Sequence, residues 1–254
     1  MNKITAIIPT FNEEVNIEAA LESVSFADEI LVIDSYSIDN TVDIIEKKYP
    51  QVKLMQRLFD DFSNQKNYAI DKASNDWIFL LDADERLTHN LKDEIKSKLV
   101  NTFSNDNIGY SFNRDFFFMD KHIKFGGYSN NKVIRLFNRQ FCKYNGNLVH
   151  EKIIAKGNIG QIKEPIKHYS YKSFSEHLIK VQRYKELQAK ELFIKGEKSS
   201  IFKILIKPKT RFLSHYFFKL GFLDGFHGFV IAGIQAYGIF IKYVSLRLLN
   251  QNKK

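Results

Sequence analysis

The feature that most constrains this chain is a regular alternation of short apolar segments with helix-forming segments in its first 100 residues. The apolar segments lie at residues 4–8, 29–33, 52–55 and 77–81. Each is typical of a strand, and the last reads as a strand buried on both faces of a parallel sheet. Strand–helix alternation with short links predicts an α/β fold in which helices cover both faces of a mostly parallel sheet.

Polar clusters follow three of these predicted strands, at residues 9–13, 34–41 and 82–85. Because ligands bind at the carboxyl ends of strands in open α/β sheets, we expect the clusters to meet at one edge. Strand alternation would place Asp82 and Asp84 on the same side. Two such carboxylates suit a hard divalent cation that also holds phosphate oxygens. A solvated acidic turn is the alternative interpretation.

Charge and composition bound the rest of the chain. The apolar fraction of 44% and the single cysteine, Cys142, indicate an ordinary globular protein of a reducing compartment, and we expect no signal peptide. The net charge of +9 is uneven, because residues 166–254 carry 17 Lys and Arg against 5 Asp and Glu. This basic, aromatic tail predicts an anionic partner, for which nucleic acid and an anionic membrane are both candidates.

The pattern changes twice beyond the first 100 residues. A β-rich stretch precedes a helical region that opens with a capping box at Ser173, and helices are predicted at 173–192, 201–206 and 212–223. We therefore predict three parts. They are a nucleotide-sugar-binding α/β half at 1–104, an acceptor-binding β-rich half at 105–170 and a helical, basic and aromatic region at 171–254.

The last apolar segment, residues 225–241, carries no charge and is at the short limit for a membrane span. His227 and Gln235 lie within it, and lysines and arginines interleave with aromatic residues around it. This mixture favours helices that lie in a membrane interface over a true span. A helix that packs into the protein's own core is the alternative.

Several enzyme classes lose support because their motifs are missing. The chain has no GxxxxGK[ST] loop, GxGxxG turn, HExxH helix or G-x-S-x-G elbow. These absences disfavour P-loop kinases, dinucleotide-dependent dehydrogenases, zinc proteases and serine hydrolases. A metal–phosphate site beside a nucleotide-shaped pocket is the chemistry that the strand ends indicate.

Seven short motifs lie in order along the chain: IIPTFNE (7–13), VIDS (32–35) with DNT (39–41), DADE (82–85), RLF (135–137), VHE (149–151), HYSY (168–171) and GFLDG (221–225). The motifs up to residue 85 resemble those of family 2 glycosyltransferases with the GT-A fold. The later motifs resemble a narrower group, the β-glucosyltransferase-like enzymes of lipopolysaccharide core assembly.

The resemblance implies roles for individual residues. Asp34 would accept a hydrogen bond from uracil, and Asp82 and Asp84 would hold Mg²⁺ or Mn²⁺ against the diphosphate of the donor. Lys66 would add a second cation there, with a solvated helix lysine as the alternative. The residues that would line the uridine and ribose pocket are Pro9, Thr10, Asn12 and Glu13.

Inverting transfer is a single displacement, and it needs a base on the acceptor hydroxyl. The family commonly places an Asp after a Glu at that point, whereas this chain has His150 followed by Glu151. We predict Glu151 as the base and His150 as its neighbour or a second candidate. Both could instead be structural residues of a turn, and Asp115 and Asp120 are rival bases.

The resemblance implies an inverting, metal-dependent glycosyltransferase that moves one hexose, with glucose favoured, from a UDP-sugar to a membrane glycolipid such as lipopolysaccharide core. The Q-x-x-R-W motif of processive synthases is missing, which favours one sugar per acceptor. We expect a peripheral or monotopic protein on the cytoplasmic face of the bacterial inner membrane, with no nucleic acid partner.

Three alternatives stay open at this point. The acceptor could be a polyprenyl phosphate or another cell-envelope glycan. A sugar-1-phosphate nucleotidyltransferase would use the same carboxylates, although its Gly-rich basic loop is absent. A non-enzyme that binds nucleic acid or membrane through the basic tail would not need the two acids.

Overall fold

A computed structural model describes residues 2–100, 107–128, 131–146, 152–171 and 173–252. The chain divides into two compact units. The first comprises Met1–Arg114 and Asn131–His168, and the second comprises Asp115–Asn130 and Tyr169–Lys254. The three-part division that we predict from the sequence, with boundaries after residues 104 and 170, stays a prediction.

The strands and helices up to residue 171 begin with the predicted alternation. In chain order they are β1 Ile4–Thr10, α1 Ile17–Ser23, β2 Glu29–Asp34, α2 Thr41–Lys48, β3 Lys53–Gln56, α3 Phe62–Lys72, β4 Trp77–Leu80, β5 Glu85–Arg86, α4 His89–Val100, β6 Asn107–Phe118, β7 Lys121–Ile123, β8 Lys132–Asn138, β9 Cys142–Tyr144, β10 Ile153–Ala155, β11 Asn158–Gln161 and β12 Ile166–Tyr171.

The main sheet has the order β3-β2-β1-β4-β8-β6-β12-β5. The first four strands are parallel, and β8 then pairs antiparallel with both β4 and β6. The expected α/β fold, a mixed but mostly parallel sheet flanked by helices, is confirmed. Because β1, β2 and β4 are parallel neighbours, the three polar clusters that follow them lie at one edge of the sheet, as predicted.

Alternating residues of the central strands are buried on opposite faces of the sheet. Ile4, Ala6 and Ile8 of β1 pack into one core cluster with residues of α1 and α4, whereas Ile7 packs into another with residues of α3. This is why the strands read as continuous apolar runs rather than as alternating ones. Cys142 is buried within the second cluster, and burial raises the pKa of its thiol to about 11.

Helix α1 begins later than the sequence suggests. We expect Asn12 to cap it, but the helix begins at Ile17 with Asn16 as its N-cap. Asn12 instead has a left-handed backbone with φ of 56°. Its N–H donates to the hydroxyl of Ser37, so the residues after it are held by the loop that follows β2.

The second unit is mostly helical. Helices α5 Phe174–Ile194, α6 Ile201–Leu213 and α7 Gly225–Gln251 form it together with β7 and the end of β6. The hydroxyl of Ser173 accepts a hydrogen bond from the N–H of Glu176 at 3.1 Å, so the predicted N-cap is confirmed.

The helix predicted at residues 212–223 is wrong. That stretch contains a π-helical turn, Ser214–Phe218, and a 3-10 turn, Gly221–Asp224. Between the turns, Leu220 has a left-handed φ of 58°, which no α-helix accommodates.

Helix α7 and the turn before it, Gly221–Gln251, are long and apolar enough to cross a membrane by length and composition alone. About a third of the most apolar 18-residue stretch of this segment is buried inside the protein. Ile231 and Ile234 pack there against Phe118 and Ile123. A single helix of this kind is weak evidence for a span.

Candidate active site

A tight turn, residues 82–85, places the acidic motif directly after β4. The N–H of Glu85 donates to the carbonyl of Asp82 at 2.9 Å, and the N–H of Asp82 donates to the Glu85 carboxylate at 3.1 Å. The expectation from strand alternation therefore does not apply, because a turn and not a strand orients Asp82 and Asp84. Glu85 is fully buried and closes this turn.

Three cations surround the acids of this turn. The buried guanidinium of Arg135, on β8, donates to Asp82 and, at 2.6 Å, to Glu85. Arg114 lies 3.3 Å from Glu85, and the Lys66 amine lies 3.8 Å from Asp82 Oδ1. Burial alone would raise the pKa of Asp82, but Arg135, Lys66 and Arg114 hold it well below its usual range. Asp82 is therefore a carboxylate at neutral pH.

Lys66 is a buried residue of α3. Its amine lies 5.3 Å from the ring centroid of Tyr144 and 5.9 Å from that of Phe62. The solvated helix lysine that we hold as its alternative is therefore wrong. Its contribution to the donor site stays a prediction.

Asp84 contacts an imidazole. Its Oδ2 lies 3.3 Å from Nε2 of His168 on β12, and both side chains are largely buried. In the part of the chain that the structure describes, no three His, Cys, Asp or Glu side chains converge as a metal site. Mg²⁺ is usually bound by one or two carboxylates together with substrate phosphates. The donor set of Asp82 and Asp84 fits such an ion when a diphosphate supplies further oxygens.

The residues that we predict to bind the nucleotide lie at the ends of β1 and β2. Pro9 and Thr10 are the last residues of β1, and no described group hydrogen-bonds to the buried Thr10 hydroxyl. Asp34 ends β2 and is fully buried. Its carboxylate accepts hydrogen bonds from the N–H and hydroxyl of Ser37 and from the amide of Gln56. A carboxylate has about four acceptor positions, so one further donor fits.

The loops that follow β1 and β2 are joined by hydrogen bonds. The N–H of Asn12 donates to the Ser37 hydroxyl, and that of Glu13 donates to the Thr41 hydroxyl, each at 2.8 Å. The Asn12 side chain accepts in return from the N–H of Ile38. These bonds join the two loops that carry predicted pocket residues of both strands.

Of the four predicted bases, the structure describes only Asp115 and Asp120. His150 and Glu151 lie outside the described residues, so both roles stay predictions. Asp115 lies in the second unit, where its carboxylate is 3.5 Å from His122. Asp120 is exposed at the tip of the β6–β7 hairpin with φ of 62°, a conformation that Asp tolerates in tight turns. The roles of Asp115 and Asp120 as rival bases stay predictions.

Sequence reasoning missed the role of the residues that hold the acidic turn. Arg135 and His168 belong to motifs that we note, RLF and HYSY, yet we predict no contact for either. Glu85 is noted only as part of the DADE motif, without a role, and Arg114 is not singled out. A signal exists for Glu85, because a third acid beside two metal-binding acids needs a counter-charge if it is buried. Which cation supplies it depends on the tertiary fold.

The geometry agrees with the comparison with known proteins. The profile described as "Glycosyl transferase family 2" matches residues 5–155, more than half of the chain. The chain belongs to this family. An uncharacterized glycosyltransferase of Rickettsia felis is 31% identical to this glycosyltransferase over 97% of the chain and 90% of the relative. A Rhizobium meliloti protein named lipopolysaccharide core biosynthesis glycosyltransferase LpsC is 25% identical over 94% of this chain and 93% of the relative.

The resemblance to family 2 glycosyltransferases is therefore confirmed, and the chain is an enzyme with a GT-A-like fold. The nucleotidyltransferase and the non-enzyme alternatives are no longer needed. Among solved structures, S. aureus TarS 1-349 aligns with 99% of this glycosyltransferase and 91% of that chain, at 14% identity and a TM-score of 0.44. Glucosyl-3-phosphoglycerate synthase of Mycobacterium tuberculosis aligns with 46% of this chain and 44% of its own, at 19% identity and a TM-score of 0.37. Similarity of this size says nothing about what this chain binds.

Proposed function

We propose that the chain is an inverting, metal-dependent hexosyltransferase that transfers one sugar, with glucose favoured, from a UDP-sugar to a membrane glycolipid such as lipopolysaccharide core. The observation that carries the proposal is the turn at residues 82–85. Arg135, Lys66 and Arg114 keep its Asp82 ionised, and Asp84 lies two residues further along the turn, at the edge of the sheet where ligands bind.

The chemistry that this turn suits is departure of a nucleoside diphosphate. Breaking the bond between sugar and phosphate builds negative charge on the leaving group. A divalent ion on Asp82 and Asp84 would neutralise that charge where it forms. Lys66, with its amine 3.8 Å from Asp82, is placed to add positive charge, while Thr10 and Asp34 would contact the nucleoside.

The acceptor side of the proposal rests on Glu151. It would take the proton of the acceptor hydroxyl as that oxygen attacks the anomeric carbon, and His150 is the second candidate. A variant Glu151→Gln that keeps donor binding but loses transfer would support this assignment. Full activity in that variant would move the role to His150, which His150→Gln tests, or to Asp115, which Asp115→Asn tests.

A membrane glycolipid suits the character of the second unit. Large apolar side chains are exposed there, including Phe218 at 83% and Phe226 at 76%, within the basic tail. Such a surface suits a membrane interface on the side where lipid-linked acceptors lie, which would be the cytoplasmic face of the inner membrane. The relative named for lipopolysaccharide core biosynthesis supports this class of acceptor. A polyprenyl phosphate acceptor is the second candidate.

The test measures release of the nucleoside diphosphate, UDP or GDP, from a panel of UDP- and GDP-sugars with Mn²⁺, in the presence of core glycolipid or polyprenyl phosphate. We expect Asp84→Asn to lower the rate by about 100-fold or more, because the leaving charge loses its counter-ion. Chelation of the metal should have the same effect.

The matched control is Asp93→Asn, which makes the same change at an exposed position of α4. It should leave the rate unchanged. Thermal shift with UDP and Mn²⁺ separates a binding defect from unfolding. No UDP release from any common UDP-sugar with either acceptor would contradict the proposed function.

A further inference from the structure

A group of basic side chains from three helices lies together in the second unit. Lys203, Lys207 and Arg211 are spaced four residues apart on α6, so they share one face of that helix. Lys185 comes from α5 and Lys242 from α7. We call these five residues the basic cluster.

The members of the basic cluster are close enough to repel one another. Burial, together with the charges of Lys242 and Arg211, lowers the pKa of Lys185 to about 8. Burial also lowers the pKa of Lys242, as do the charges of Arg211, Lys207 and Lys203. The stem of Lys185 packs on α7, since a Cβ at Gly238 would lie 3.3 Å from its Cε.

Acidic partners are scarce around the basic cluster. Helices α6 and α7 contain no Asp or Glu. In the described part of the chain, Lys203 pairs with Glu197 at 3.9 Å, and no ion pair is seen for the other four members. Lys185 donates to Gln188 at 3.0 Å, and the Arg211 guanidinium lies 3.1 Å from Nε2 of His215. Lys207 is exposed, whereas Lys185, Arg211 and Lys242 are partly buried. Partly buried cations without counter-charges are costly, and a bound anion would offset that cost.

We propose that Lys185, Lys207, Arg211 and Lys242 form a binding site for a phosphate group, and that its source is the headgroup of an anionic lipid. Arginine forks and lysine amines are the usual protein donors to phosphate oxygens. Exposed apolar side chains lie on the same helix α6, among them Phe202 and Leu205, and they suit the acyl chains of such a lipid. This site is distinct from the proposed donor site of the first unit.

The test compares two double variants with equal loss of charge. Lys207→Gln with Lys242→Gln removes two members of the basic cluster, whereas Lys190→Gln with Lys209→Gln removes two exposed lysines of α5 and α6. The probes are phosphatidylcholine vesicles with and without phosphatidic acid, and inorganic phosphate. Each lysine near an anionic surface contributes about 1 kcal/mol, so we expect the cluster variant to bind the anionic vesicles about 30-fold more weakly. The control variant should bind the same vesicles with an affinity close to that of the natural protein.

A second readout needs no loss of function. Because the Lys185 amine is partly neutral near pH 8, it should be acylated faster than the exposed lysines by an amine-selective reagent. A phosphate at the site would favour its protonated form and slow that reaction. Slowing by phosphatidic acid vesicles supports the lipid source, and slowing by inorganic phosphate alone assigns the site to soluble phosphate.

Equal weakening of vesicle binding by the two double variants, with no protection of Lys185 by either probe, would overturn the proposal. Neither readout uses a sugar donor, so the outcome does not depend on the proposed transferase activity. Thermal unfolding checks that the variants are folded. The cluster variant should unfold at a temperature no lower than that of the natural protein, because the substitutions remove repulsion between cations.

Discussion

At the scale of single residues, the carboxylate of Glu85 shows how a buried charge depends on its neighbours. It is fully buried and takes its counter-charge from Arg135 and Arg114. Burying an ion costs several kcal/mol unless its partners are well placed, so the acidic turn is stable only while both guanidiniums contact it.

We predict that Arg135→Leu lowers the free energy of unfolding by about 3–5 kcal/mol, because Asp82 and Glu85 lose their shared buried partner. Arg135→Lys should be less harmful, since it keeps the charge but not the fork. Urea unfolding measures both. Lys47→Gln, which breaks an exposed pair with Asp43, is the control and should change little. If Arg135→Leu were as stable as that control, the buried pair would not be structural.

How far sequence reasoning reaches is also clear at this scale. Asp82 and Asp84 could be singled out because their spacing after an apolar strand is a local pattern. The contacts of Asp82 with Arg135 and of Asp84 with His168 join residues 53 and 84 positions apart, which only the sheet order brings together. The left-handed backbone of Tyr36, with φ of 60°, has no local signal either, because Tyr rarely adopts it.

At the scale of elements, the GFLDG motif forms a clasp within the second unit. The carboxylate of Asp224 accepts hydrogen bonds from the backbone N–H groups of Lys124 and Phe125. Gly221 and Gly228 pass so close that a Cβ added at Gly228 would lie 1.8 Å from the Gly221 carbonyl oxygen. The hydrogen bonds of Asp224 and the close approach of the two glycines therefore give the motif a packing role in this chain.

Two glycines of α7 test this clasp. Gly228→Ala should lower the free energy of unfolding by more than about 2 kcal/mol, because backbone must move to admit the methyl group. Gly233→Ala should raise it by as much as about 1 kcal/mol, since no atom lies near its Cβ position and Ala favours helix. Thermal unfolding of the two variants should therefore move in opposite directions. An unchanged free energy of unfolding for Gly228→Ala would show that the backbone around Gly221 and Gly228 moves at little cost.

Prediction of elements succeeded where both faces of a strand are buried. The apolar runs of β1, β2 and β4 are required by helices on either side, so local composition indicated them. It failed for the start of α1 and for the turns at residues 214–224. There the backbone follows tertiary contacts, such as the bond from Asn12 to Ser37, that no local periodicity encodes.

At the scale of the whole molecule, two buried histidines couple stability to pH. Burial lowers the pKa of His177 to about 4, with a smaller effect of the Lys180 charge. Burial also lowers the pKa of His215 to about 4, together with the charges of Lys219 and Arg211. Both values lie below the ordinary histidine pKa of about 6.5, so the unfolded chain binds these protons more readily than the folded one.

We therefore expect the stability that these rings contribute to be fully present above about pH 6.5 and to be lost as the pH falls towards about 4. At pH 5 the loss is about 2 kcal/mol for each histidine. Urea unfolding of His177→Gln with His215→Gln should show a flatter profile between pH 7 and 5. His89→Gln, at an exposed position, should keep the natural slope. An equally steep profile in the double variant would contradict this assignment.

The burial of Cys142 has a practical consequence. Its thiol is 3% exposed and its pKa is about 11, so almost none of it is the reactive thiolate at neutral pH. The natural chain therefore behaves as a cysteine-free background towards maleimide dyes. A single cysteine placed at Phe218 or at Ile38 would carry a fluorophore or spin label on one unit at a time. The depth of each unit at a bilayer then becomes a spectroscopic measurement, made without removing any natural residue of the core.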